Sequence, residues 1–563
     1  MKIAPTTYLL IILGKIEEMK YLFFVFTFTF GFTSLCQKST TPRLVVGIVV
    51  DQMCYEYLYR FYDKYSEGGF KRLMSGGTNC RNTLYNFIPT YTGPGHASIY
   101  TGTTPNNHGI VANDWYDRDT KREINCVEDS SVHSIGVVSD YGKFSPLNLK
   151  ANTITDQLKL TYPDAKVVSI SIKNRGAILP GGHLSDGSYW FDFNSGDFIT
   201  SSFYTEKLPN WVNKFNEEKH VDKLMKGKWE TYYPIDTYTE SGEDNSPYEV
   251  LLPGKTQPIF PYDMDMMRNS IMKFTQFVHT PFANTFLTDF AIEAICSESL
   301  GKDDQSDILA ISYSTPDIIG HAFGPYSKEI EDTYIRLDLE LKRLLETLDE
   351  KIGKKEYTLF LTADHAVVPV PQQLVDKGLP GGYLFLDQYL PDLREQLISK
   401  FGADLIESHM NLNIYLNNNL IAMKELDQTE IKSFIMDEVA KWEGVKRVFD
   451  SKQLYNTSVD DEWKDMVRKG YYPKESGDIM YILKPGYLPK STDIESSHKG
   501  TSHGSAYSYD THVPLLWYGK RIPVVEDYTR LEITDITPTL AHLLNLQLPN
   551  AVTGKPIQRI LCK

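Results

Sequence analysis

Arg43-Leu44-Val45-Val46-Gly47-Ile48-Val49-Val50, running straight into Asp51, is an almost unbroken apolar stretch closed by an acid. A Val/Ile run without polar alternation is the pattern of a strand covered on both faces, as in a parallel sheet. An acid directly after such a strand stands at its carboxyl end, where open α/β sheets hold their ligands. The pattern recurs. Ala165–Ile172 is followed by Lys173 and Arg175, Asp307–Tyr313 by Asp317, and Tyr357–Thr362 by Asp364-His365, while Val513–Tyr518 follows a loop holding His503. This recurrence predicts an α/β fold with a mostly parallel central sheet flanked by helices, its carboxyl edge carrying the chemistry.

Between the strands, Lys328–Leu348 has apolar residues at three- and four-residue spacing, an amphipathic helix, and Asp535–Asn545 reads as a last helix packing on the sheet. Two segments break the rhythm. Residues from about 176 to 281 are rich in Tyr, Trp, Asn, Gly and Pro and read as an inserted cap over the edge of the sheet. Residues from about 371 to 485 alternate strand-like runs (Leu412–Leu416, Val445–Phe449, Asp478–Leu483) with helical ones (Glu430–Trp442), a small α+β insertion.

The chain has 563 residues and a net charge of -15, with 58 basic against 73 acidic residues. No basic stripe or tail stands out, which argues against nucleic acid as the natural partner, and any anionic substrate must be captured by local positive charge. Lys20, the apolar run Tyr21–Phe32 and the following Thr33-Ser34-Leu35-Cys36 read as a secretory signal peptide over 1–36, with Met19 as a possible true start. The expected product, 37–563, is periplasmic or secreted, has no membrane association after cleavage and acts as a monomer. It retains Cys54, Cys80, Cys126, Cys296 and Cys562. None has zinc-finger spacing. Cys80–Cys126 is the candidate disulfide, with buried free thiols as the alternative.

Tyr91-Thr92-Gly93-Pro94-Gly95-His96 describes a hydroxyl at a helix N-terminus, where free N–H groups and the helix dipole favour an anion. On these six residues alone, a Thr that simply caps an ordinary helix is the simpler reading. The strand-end residues tip the balance: Asp51, Thr92, Asp317, His321, Asp364, His365 and His503. Asp317 and His321 lie about one helical turn apart and can face one ion, and Asp364-His365 offers adjacent ligands. Three carboxylates and three imidazoles suit two zinc ions with open coordination positions. His133, His220, His279 and His409 have no such company and read as structural or solvated.

In this order the motifs resemble the alkaline phosphatase superfamily, and within it the phosphate-irrepressible, PafA-type alkaline phosphatases, relatives of the nucleotide pyrophosphatase/phosphodiesterases. The resemblance runs from about Arg43 to the C-terminus. It implies that Asp51, Asp364, His365 and Thr92 bind one zinc and that Asp317, His321 and His503 bind the other. His498 and His512 lie close to His503 in sequence; Gly504, following His503, favours the latter. It further implies that Asn113, Lys173 and Arg175, with the Gly93 N–H, contact phosphoryl oxygens. By formal charge the two zinc ions, three Asp and a Thr alkoxide come to about zero, and Lys173 and Arg175 raise this to about +2, which suits a monoester dianion. The activity implied is hydrolysis of small phosphate monoesters through a phosphothreonine intermediate on Thr92. The rivals are a phosphodiesterase or nucleotide pyrophosphatase of the same superfamily, which normally lacks the Lys/Arg pair, a sulfatase-like hydrolase, and a non-catalytic binding protein.

Overall fold

The computed structural model describes residues 41–455 and 461–561. The expected signal peptide, with Met19 and Cys36, lies outside the described residues, as does Cys562. Eight strands make the body of the central sheet: β1 (Leu44–Val50), β2 (Thr78–Leu84), β3 (Val167–Ser171), β4 (Gly187–Phe191), β5 (Phe198–Ser201), β6 (Asp307–Tyr313), β7 (Tyr357–Thr362) and β8 (His512–Gly519). Their order is β2-β8-β7-β1-β6-β3-β4-β5, and short strands at both edges bring the total to 11. The central block, β7-β1-β6-β3-β4, is parallel throughout.

β8 runs antiparallel to both β7 and β2. Its leading loop, not its trailing one, therefore reaches the edge where β1, β3, β6 and β7 end, and this is the loop that carries His503. All seven residues of β1 are buried, as the uninterrupted apolar pattern requires. Burial of each Val or Ile side chain there contributes about 1.5–3 kcal/mol, so a charge at Val46 would break the centre of the sheet.

Helices cover the sheet: α1 (Thr92–Thr101), α2 (Asn174–Gly181), α3 (Phe282–Ser297), α4 (Thr315–Phe323), α5 (Lys328–Leu348) and α6 (Ile536–Leu544). α5 opens on Ser327, whose hydroxyl accepts from the Ile330 N–H at 3.2 Å. Among the described residues no helix is long and apolar enough to cross a membrane.

The segment expected to be a cap begins inside the sheet, a correction to its boundary. β4 and β5 fall within it, and irregular structure dominates only from about residue 202. β4 is a parallel neighbour of β3, so the chain completes the sheet before leaving it. The second segment builds a four-stranded sheet from Ile406–Met410, Asn413–Leu416, Val445–Asp450 and Ile479–Leu483. It has its own apolar core, around Leu397, Ile414, Ile435 and Tyr481. The Cys80–Cys126 disulfide does not form: both thiols are free and buried. Cys80 sits on β2 in the main core, Cys126 in a separate cluster beneath α1 and α2.

Candidate active site

The site grows from the ends of the parallel strands. β1 stops at Val50, and Asp51 and Gln52 follow, both fully or almost fully buried. Gln52 adopts a left-handed φ of 67°, uncommon for a side chain of this kind. The turn aims Asp51 inward and lets Gln52 act twice. Its main-chain N–H donates to Asp364 Oδ1 at 3.1 Å, and its side-chain amide donates to Asp317 Oδ1 at 2.6 Å.

α1 begins at Thr92 with Tyr91 as its N-cap, and no side chain caps it. The Thr92 hydroxyl is therefore not consumed as a helix cap. Its neighbour is the Lys173 ammonium, 3.4 Å away. Gly95 is needed for close approach, since a Cβ there would lie 2.8 Å from the Asp364 Cβ. His96 pins the helix from below: Nδ1–H donates to the Thr92 carbonyl at 2.9 Å, so bare Nε2 accepts from the Ser312 hydroxyl at 2.9 Å. Burial pushes its pKa down to about 4, keeping it neutral.

Asp51, Asp364 and His365 meet at one point. His365 Nε2 lies 3.5 Å from Asp51 Oδ1 and 3.5 Å from Asp364 Oδ2. These three atoms are buried and have no hydrogen-bond partner. Asp317, His321 and His503 form a second group, with His321 Nε2 at 3.1 Å and His503 Nε2 at 3.6 Å from Asp317 Oδ1. The His365 and His503 rings stack at 3.4 Å between centroids and join the two groups.

All three imidazoles are oriented alike. Nδ1–H of His321, His503 and His365 donates to the carbonyls of Thr501 (2.8 Å), Thr90 (2.7 Å) and Ala366 (3.1 Å). That makes Nδ1 a donor on each ring and turns each Nε2 towards carboxylate oxygens, the orientation of metal-ligating histidines. Orphaned, buried oxygen and nitrogen donors converging on a point fit a divalent cation, and mixed imidazole and carboxylate donors fit zinc. The groups Asp317, His365, His503 and Asp51, Asp364, His365 each bring their ligand atoms within 4.8 Å of one another.

The electrostatics tell of the same crowding. Burial, then the neighbouring Asp364, pushes the Asp51 carboxyl well above the usual carboxylate range. Burial raises Asp364 to about 6 against the pull of Lys173. For Asp317 burial acts in the same direction, but His321 and Lys173 outweigh it and hold the carboxyl well below that range. Burial lowers His365 to about 3, so its ring is neutral and its lone pair free. One ammonium spans the crowd: Lys173 Nζ lies 2.6 Å from Asp51 Oδ2 and 2.6 Å from Asp317 Oδ2.

Asn113 meets the first turn of α1 at Gly93. The Gly93 N–H donates to Asn113 Oδ1 at 2.8 Å, which orients the amide and leaves its NH2 to point elsewhere. The Gly93 N–H, expected to face a phosphoryl oxygen, is thus engaged by Asn113. Arg175, at the start of α2, has a buried Nε without a hydrogen-bond partner. His498 pairs with Asp493 and Gln372, and His512 stacks on Tyr55, so of the three neighbouring histidines only His503 joins the cluster. His409, bonded to the Tyr481 hydroxyl, and His220, stacked on Phe215, lie in other packing environments.

Sequence reasoning missed Gln52. The only signal was its place directly after the strand-ending Asp51. Gly320 completes the arrangement, because a Cβ there would collide with the Gln52 amide oxygen.

A doubly covered parallel sheet with this donor set at its carboxyl edge defines a known class: residues 45–506 match the family described as type I phosphodiesterase / nucleotide pyrophosphatase, and the chain belongs to it. It is 41% identical over 523 residues to alkaline phosphatase PafA of Elizabethkingia meningoseptica, covering 92% of this chain and 94% of that one. It is 42% identical over 537 residues to a Myroides odoratus protein named calcium-transporting ATPase, covering 94% and 97%. The crystal structure of wild-type alkaline phosphatase PafA superposes with a TM-score of 0.87 at 39% identity, covering 92% of this chain and 99% of that one.

Proposed function

We propose that the protein is a zinc-dependent phosphomonoesterase, an alkaline phosphatase acting in the periplasm or outside the cell as a monomer, with Thr92 as nucleophile. The observation that carries this reading is the uncapped Thr92 hydroxyl beside Lys173, where two carboxylate–imidazole groups meet. Similarity to PafA, an alkaline phosphatase by name, over nearly the whole chain supports the same class.

Asp51, Asp364 and His365, with the Thr92 oxygen, would hold one zinc ion; Asp317, His321 and His503 would hold the other. Bound zinc supplies Lewis acidity that favours the alkoxide form of a hydroxyl and neutralises charge on phosphate-ester oxygens. Thr92 yields its hydroxyl proton to solvent and its Oγ bonds to phosphorus as the bond from phosphorus to the ester oxygen breaks, giving phosphothreonine and an alkoxide that takes a proton from solvent and leaves as the alcohol. Water then adds to phosphorus and gives up a proton, the bond to Thr92 Oγ breaks with Oγ regaining a proton, and inorganic phosphate leaves. Lys173 and Arg175 contribute two positive charges beside the non-bridging oxygens, and the Asn113 NH2 donates to one of them.

The charge pair favours a dianionic monoester over a monoanionic diester. Hydrolysis of an aryl phosphate, an aryl phosphate diester and an aryl sulfate, with zinc and with chelator, tests the reading. A clear preference for the monoester, abolished by chelation and lost on Lys173→Met with Arg175→Met, is expected. A preference for the diester or the sulfate would assign the site to a rival chemistry.

A further inference from the structure

Beside the cluster, where the four-stranded insertion meets the edge of the central sheet, lies a cavity. Tyr91 and His503 form its wall on the side of the site, and Trp115, Trp463, Tyr481 and Tyr507 are among the aromatic residues that complete it. The Tyr91 ring stands edge-on to His503, 5.5 Å between centroids. Tyr91 also immediately precedes Thr92, so the cavity starts where the reacting groups end.

The rings turn their polar ends away. Trp115 Nε1–H donates to Glu475 at 2.9 Å, the Tyr481 hydroxyl pairs with His409 at 2.8 Å, and the Tyr507 hydroxyl donates to the Leu483 carbonyl at 3.1 Å. The amides on the wall each donate to the main chain: Asn411 to the Asp114 carbonyl at 2.6 Å and Asn413 to the Asn411 carbonyl at 2.8 Å. Asp510 is the one acidic or basic chain on the wall besides the histidine; its Oδ2 accepts from the Ser505 N–H at 2.8 Å, while its Oδ1 is buried without a hydrogen-bond partner. Most of what the cavity offers an occupant is ring carbon and methyl groups, the lining of an apolar ligand site with a few polar groups.

We propose that this cavity receives the leaving group, and that the preferred substrates are phosphate monoesters of apolar, ring-bearing alcohols; this rests on the phosphomonoesterase reading above. In-line displacement puts the leaving oxygen opposite the attacking Thr92 Oγ. Of the two donor groups, the one holding His503 borders the cavity, whereas Asp51, Asp364 and His365 do not line it. A group departing on the His503 side enters a space fitted to rings and poor in free hydrogen-bonding groups. A polyol or a charged alcohol would lose hydration there without replacement.

The test uses the full-length, zinc-supplemented chain and two alkyl esters, 2-naphthylmethyl phosphate and methyl phosphate. The expected ratio of kcat/KM favours the naphthyl ester by about tenfold or more. Ala506→Phe, which fills the cavity from a half-buried wall position, and Trp463→Ala, which removes part of the wall, should each cut that ratio several-fold while methyl phosphate turnover stays within about twofold. Free 2-naphthylmethanol should quench tryptophan fluorescence saturably in the parent chain and more weakly in Ala506→Phe. An unchanged ratio in both variants, an equal loss on both esters, or no binding of the alcohol would overturn the proposal alone. A chain that binds the alcohol yet hydrolyses neither ester would overturn the phosphatase reading, and this one with it.

Discussion

The two donor groups around Thr92 are built from the same kinds of side chain but differ in their exposure. Asp51, Asp364 and His365 are each 0% exposed, while the His321 side chain across the site is 37% exposed. The first group is sealed against the sheet. The second, with Asp317 and His503 nearly buried and His321 at the surface, opens towards solvent and the aromatic cavity. The difference follows from topology. Asp51 and Asp364-His365 follow adjacent strands at the centre of the sheet, whereas His321 rides on α4 and His503 on the long loop before β8. On the proposed mechanism, a sealed group suits a fixed anchor for the nucleophile and an open one suits exchange of alcohol and water.

The strongest way to break this picture is at the hydroxyl between the two groups. Thr92→Ala should lower kcat/KM by about a thousandfold or more while zinc content, measured by metal analysis, stays at two per chain. Near-normal turnover would remove the covalent route. A smaller effect separates the groups. Chelator should withdraw zinc in two phases, the fast one from the open group, and His321→Ala should abolish the fast phase and reduce turnover by about a hundredfold. If both phases survive His321→Ala, exposure does not govern exchange.

Gln52→Ala sharpens the comparison further. The side-chain bond to Asp317 is lost while the main-chain N–H to Asp364 remains. Zinc affinity, followed by competition with a chromophoric chelator, should therefore fall by about 10–100-fold at the open group with little change at the sealed one.

The smallest expected effect lies outside both groups. His183 Nδ1 lies 3.0 Å from Asp156, which belongs to the capping box opened by Thr153. Burial opposes protonation of His183, but Asp156 outweighs it and raises the pKa above the ordinary 6.5. A raised folded-state value means stabilisation that is fully present below the unfolded pKa and lost as pH rises through the folded one. His183→Gln should therefore lower the melting temperature by roughly 1–2 °C at about pH 5.5 and leave it unchanged at about pH 9. An equal decrement at both pH values would make the loss one of packing.

Much of this was legible in the chain because burial writes itself into composition. β6 and β7 span Asp307–Tyr313 and Tyr357–Thr362, as the apolar runs predict, since a strand covered on both faces leaves no room for polar alternation. Asp51 and Asp364-His365 were marked by directly following strand-like apolar runs, Asp317 with His321 by their spacing after another, and Thr92 by its glycine-rich helix start. β4 and β5 were not marked, because Gly187–Phe191 and Phe198–Ser201 are aromatic and hydroxyl-rich and resemble loop sequence. Cysteine pairing was illegible for a different reason: the partition between the core of β2 and the cluster under α1 exists only in three dimensions. Gln52 was hidden likewise, its work depending on a left-handed turn and on Asp317, 265 positions away.

Gly320 and Gln52 occupy a single volume between them, although they are remote in the chain. A methyl group gained at 320 displaces the Gln52 amide, the far end of that side chain, so Gly320→Ala should weaken the Gln52–Asp317 bond and add little further loss alongside Gln52→Gly. The glycine inside Asp317-Ile318-Ile319-Gly320-His321 is thus half of a two-part fitting whose other half sits beside the first acid of the fold.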